Sequence, residues 1–85
     1  MSDPQHTFEL TVDAAPGAIE RVLSVVRRRH LGLKSFRADA AGEGLWKVSI
    51  KAGAVPKEAA LALSQFTALI DVRHARLTPA DDSAS

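Results

Sequence analysis

The sequence predicts an α+β sandwich in which two helices pack on one face of a four-stranded antiparallel sheet. Three observations lead there. The hydrophobic period switches between two and 3.6 along the chain, in the order strand, helix, strand, strand, helix, strand. Both helical stretches open on proline punctuation, at Asp13-Ala14-Ala15-Pro16-Gly17 and at Ala52-Gly53-Ala54-Val55-Pro56. Eighty-five residues supply one shallow core, so two helices carrying one apolar stripe each must share a single sheet. The opposite sheet face is then left open to solvent or a partner.

Residues His6 to Val12 alternate, with Phe8, Leu10 and Val12 on one face and Thr7, Glu9 and Thr11 on the other, as a half-buried strand requires. From Pro16 to His30 the period becomes helical, with Ile19, Val22, Leu23 and Val26 as the expected stripe. Pro16 suits a first helical turn, and Gly32 is the expected stop. Glu20 near the start and Arg27, Arg28, Arg29 and His30 at the end both complement the helix dipole. Leu33 to Asp39 reads as a second, less regular strand, and Ala40 to Gly44 as a hairpin loop. Trp46, Val48 and Ile50 alternate with Lys47, Ser49 and Lys51 in a third strand. Pro56 opens a second helix to about Thr67, its apolar face expected at Ala59, Leu63 and Phe66, extended by Leu69 or Ile70. Asp71 to Leu77, rich in charge, fits an edge strand. This order is that of the ferredoxin-like fold.

Composition narrows function further. The absence of cysteine excludes disulfide staples, thiolate zinc sites, iron–sulfur clusters and a cysteine nucleophile. Eleven Lys and Arg against ten Asp and Glu give a net charge of +1, which argues against capture of nucleic acid or anionic lipid by bulk charge. No apolar run approaches the ~18–20 residues that span a bilayer, and the polar N-terminus has no signal-peptide pattern. A cytoplasmic protein without membrane association is expected. The domain is expected over residues 6–77, with an N-terminal extension at 1–5 and a small, acidic, flexible tail at 78–85.

The fold hosts many functions, so residues must choose among them. Metal chaperoning needs paired cysteines after the first strand. RNA recognition needs aromatics on the first and third strands, where only Trp46 is available and its alternation places it in the core. Acyl-phosphate hydrolysis needs an arginine in a phosphate-cradling loop, which Asp13 to Gly17 lacks. His6, His30 and His74 have no metal-ligand spacing, so no metal is expected. Ser24 and Ser49 are lone hydroxyls, so no catalytic residue, cofactor or enzymatic activity is expected. Arg27 to His30 point in successive directions around a helix and read as solvated charge. What remains is a small amino acid held by the loop between the first strand and helix. A Pro-Gly turn there admits close backbone approach, and a helix N-terminus receives a carboxylate. An ordinary strand-to-helix turn explains the same residues.

Pro16-Gly17-Ala18-Ile19-Glu20-Arg21-Val22-Leu23, continuing through Arg28-Arg29-His30-Leu31, resembles the first helix of ACT domains, small ferredoxin-like amino-acid sensors. Leu69-Ile70-Asp71-Val72-Arg73-His74-Ala75 resembles the closing segment of acetolactate (acetohydroxyacid) synthase small subunits. The resemblance spans about residues 6 to 77 and is strongest to the short, single-domain class. It implies a non-catalytic regulatory subunit that binds and activates the thiamine-diphosphate-dependent catalytic large subunit in branched-chain amino-acid biosynthesis. Thiamine diphosphate, magnesium and flavin belong to that larger chain. The resemblance implies an effector loop at Asp13, Ala14, Ala15, Pro16, Gly17 and Ala18, together with Gly32. Valine-sensing members carry asparagine at the positions of Ala14 and Gly32, so weak or no valine feedback is expected here. ACT domains pair side by side into a continuous sheet, which implies a homodimer. The expected pairing edge is the second strand, with Leu33 on it and Phe36 facing outward.

Overall fold

The computed structural model describes residues 4–79. Strand β1 (Gln5–Asp13) is followed by helix α1 (Ala18–Arg28), strands β2 (Gly32–Ala40) and β3 (Leu45–Gly53), helix α2 (Pro56–Ala68) and strand β4 (Val72–Pro79). The sheet order is β2-β3-β1-β4, antiparallel throughout, so β2 and β4 are its two edges. This is the ferredoxin-like arrangement.

The alternation in β1 does what a period of two requires: Phe8, Leu10 and Val12 are buried, joined by His6 one step earlier. Opposite them Val48, Ile50 and Ala52 complete the inner face. Phe8 meets Phe66 of α2 edge to face, with ring centroids 5.2 Å apart. Alanines at 18, 59 and 62 let both helices lie close to the sheet. Trp46 is half-buried against this core. His6 joins the core by directing Nε2 at the carbonyl oxygen of Ala54, 3.0 Å away.

The stripe of α1 is rotated from its expected phase, whereas that of α2 falls largely where expected. In α1 the buried positions are Ala18, Val22, Val25 and Val26, while Leu23 is exposed and Ile19 half-buried. Five apolar side chains between Ile19 and Val26 make the stripe too broad to fix the rotation by spacing alone. In α2 Ala62 is buried with Ala59 and Phe66, and Leu63 lies at the rim. The helix ends at Ala68 and Leu69 turns extended, which throws Ile70 outward to 88% exposure.

Helix α1 also ends differently from expectation. The stop is His30, in the left-handed region at φ 56°, and not Gly32, which lies in β2 opposite Gly53. The N–H of Leu31 bonds the carbonyl of Val26 and that of His30 bonds the carbonyl of Arg27, both at 3.3 Å, the pattern of a Schellman cap. Buried Leu31 and Val26 supply its apolar contact. An L-residue with a Cβ is strained in this conformation. His30→Gly is therefore expected to stabilise the domain by about 0.5–1 kcal/mol, raising the melting temperature by about 3–6 °C in a thermal scan.

Pairing in β4 runs through Thr78 opposite Thr7 and Pro79 opposite His6, so the expected tail begins inside a strand. Residues 80–85 of that tail, and 1–3 of the N-terminal extension, lie outside the described residues.

Candidate functional site

The segment Ala15-Pro16-Gly17-Ala18 is a type II turn: proline at the second position, Gly17 at φ 80° and ψ 0°, and the Ala18 N–H closing on the Ala15 carbonyl at 3.1 Å. Helix α1 thus starts at Ala18 and not at Pro16. Gly17 is required by this turn. Any side chain there would meet both a positive φ and the Arg21 guanidinium, 3.2 Å from where its Cβ would stand.

The loop is braced on both sides. The Asp13 N–H donates to the Asp71 carbonyl (2.7 Å) and the Ala14 N–H to the Gly44 carbonyl (2.8 Å), tying the loop to the α2–β4 junction and to the β2–β3 hairpin. Arg21 Nε donates to Asp71 Oδ2 at 2.7 Å, and Arg21 Nη2 donates to the Pro16 carbonyl at 3.2 Å. Asp71, only 8% exposed, therefore clamps β1, α1 and β4 together through its backbone and side chain. Removing the guanidinium while keeping the stem, Arg21→Met, strands this carboxylate. Because Arg21 is itself half-exposed, the expected loss is about 1–2 kcal/mol, read by urea denaturation and assigned to the pair by a double-mutant cycle with Asp71→Asn.

The expected loop residues play unequal parts. Asp13 directs its carboxylate to Arg73 Nε at 2.6 Å. Ala14 is exposed with a methyl that offers no hydrogen bond, and Ala18 faces the core. Helix α1 carries no side-chain N-cap, and the N–H groups of Ile19 and Glu20 have no backbone acceptor among the described residues. The loop can thus offer donors to a carboxylate.

Gly32 is not brought to this loop. Its partner Gly53 pairs with Gln5, at the far end of β1 from Ala14, a separation of about 30 Å along the strand. Within one chain Ala14 and Gly32 do not share a ligand. At the sheet edge Leu33 is 45% exposed. Phe36 corrects the expectation: it lies opposite Ile50 and packs against the core. A bulge between Leu33 and Ser35 shifts the register by one residue, which turns Phe36 and Ala38 inward.

The Arg21–Asp71 clamp is not visible in the sequence, since its partners are fifty positions apart and each has an unremarkable local reading. Among the described residues no helix is long and apolar enough to cross a membrane, and no three metal-ligating side chains gather.

No protein-family model and no curated protein matches the chain. Solved structures do. The ACT domain of GTP pyrophosphokinase from Chlorobium tepidum superposes with a TM-score of 0.78 at 6% identity, over 92% of this chain and 100% of that one. The fold is that of an ACT domain. The regulatory subunit of aspartate kinase from Thermus thermophilus, in its ligand-free form, gives 0.68 at 16% identity over 93% of this chain, which spans 52% of that subunit. The C-terminal domain of the MgtC protein from Mycobacterium tuberculosis gives 0.78 at 12% identity, over 95% and 92% of the two chains. At these identities the likeness is one of fold.

Proposed function

We propose that this ACT-fold chain is a non-catalytic regulatory small subunit that binds and activates the catalytic subunit of acetolactate synthase. The observation that carries the reading is the coincidence of the ACT fold with the segment Leu69-Ile70-Asp71-Val72, whose aspartate braces the candidate effector loop. A subunit without reactive groups acts by binding the active conformation of its partner more tightly than the inactive one.

A homodimer through β2 belongs to the same reading. Both edges carry charge, Lys34, Arg37 and Asp39 on β2 and Arg73, His74 and Arg76 on β4, but β2 also exposes the large apolar side chain of Leu33. A two-fold axis beside β2 runs the paired strands antiparallel. The Gly32 end of one copy then meets the Gly42–Gly44 hairpin of the other, next to the loop that Ala14 ties to Gly44. In this arrangement Ala14 and Gly32 of the partner subunit border one pocket. Neither supplies a side-chain donor or acceptor, so a branched-chain amino acid is held weakly by backbone groups alone and valine feedback is weak or absent.

A second reading, a free-standing ACT sensor for a different enzyme, is favoured by the uncapped N–H groups of Ile19 and Glu20, which would receive an amino-acid carboxylate whatever the partner. Titrating the chain into the catalytic subunit of acetolactate synthase while following acetolactate formation separates the two.

A further inference from the structure

The open face of the sheet carries an ordered charge pattern and a groove of about 550 Å³, within the ordinary range for small-ligand sites. Strand register sets its side chains in rows. One row across the sheet is Asp39, Lys47, Thr11, His74, and the next is Arg37, Ser49, Glu9, Arg76.

Each carboxylate on this face already has an arginine. Asp39 accepts from Arg37 Nε at 3.1 Å, Glu9 from Arg76 Nη2 at 2.9 Å, and Asp13 from Arg73. Lys47 and Lys51, both on β3, form no ion pair among the described residues. Five cations against three carboxylates leave the face at about +2, concentrated on an inner strand where lysine is disfavoured and edge protection has no use. Thr11 lies between Lys47 and His74, whose backbones are about 10 Å apart across it, wide enough for an oxyanion to rest on the hydroxyl between two nitrogen donors. Among the described residues the only ring on this side is the His74 imidazole: Phe8, Phe36 and Trp46 all pack against the core.

We propose that the open face binds a small multiply charged oxyanion without an aromatic ring, bearing phosphate or carboxylate groups, seated over Thr11 between Lys47 and His74. The site lies on the face opposite both helices and does not depend on the acetolactate synthase reading. With its one imidazole engaged as a donor to the oxyanion, the groove has no Phe, Tyr or Trp platform to stack a nucleobase, and its polar floor discriminates against apolar amino acids.

The test is a two-dimensional amide NMR titration of the full chain with inorganic phosphate and, separately, citrate, each against sodium chloride at matched ionic strength. Saturable shifts at Thr11, Lys47, Ser49 and His74, absent with chloride and weakened at least tenfold in Lys47→Gln, are expected. The stronger of the two probes tells phosphate from polycarboxylate. Because Lys47 is exposed, the variant should retain the wild-type melting temperature; Lys51→Gln provides a second folded variant with the same direction of effect. Shifts that match chloride, centre on Arg27 and Arg28, or persist unchanged in both variants would overturn the proposal.

Discussion

Phe66→Ala is expected to cost about 3–5 kcal/mol. Phe66 is fully buried, and its ring is the partner of Phe8 at the centre of the sheet. Its neighbours on the helix, Ala59 and Ala62, have no side-chain length with which to fill the void, so the cavity stays open. A domain of this size has a total stability on the order of 5–10 kcal/mol, so the variant sits at or near the unfolding transition at 25 °C. Circular dichroism during a urea titration reads the effect. Phe66→Leu, which keeps most of the volume, should lose less than half as much.

The second large effect concerns association. Leu33→Lys places a charge on the β2 edge at a position already 45% exposed, so the fold of the single chain should be preserved, as read by circular dichroism. On the dimer proposed above, the same change weakens self-association at least tenfold, read by light scattering across a concentration series. Phe36→Asp tests something else. Phe36 packs against the core, so an aspartate there unfolds the domain and says nothing about the edge.

That contrast shows where the sequence is legible. Alternation in β1 and β3 predicts the inner face residue by residue, because a strand has two faces and polar residues mark one of them. The order of elements follows from the same periods. Strand β2 departs from expectation at Phe36 because a bulge inserts one residue, and a period-two pattern carries no signal for it. The phase of α1 is hidden because Ile19 and Leu23 are as apolar as Ala18 and Val25, leaving the sheet to choose between two stripes. His30 takes the helix-ending role expected of a glycine because Leu31 must be buried against Val26, and the chain has no glycine at the intervening position.

The candidate site divides in the same way. Pro16-Gly17 announces a tight turn, and the geometry gives it a complete structural explanation as a type II turn opening α1. The loop's connection to Asp71 depends on three elements converging, which no spacing along the chain encodes. Gly32 stands apart from the loop within one chain, so any pocket joining them requires a second copy.

The most direct test of the proposed function is reconstitution. The catalytic subunit of acetolactate synthase from the same genome is assayed for acetolactate formation while this chain is titrated in, with and without valine. The account predicts a saturable, several-fold rise in rate that valine leaves largely intact. A flat rate through a stoichiometric excess of folded protein would contradict the partnership and leave the free-standing sensor, whereas a rise abolished by valine would keep the partner and overturn the argument from Ala14 and Gly32.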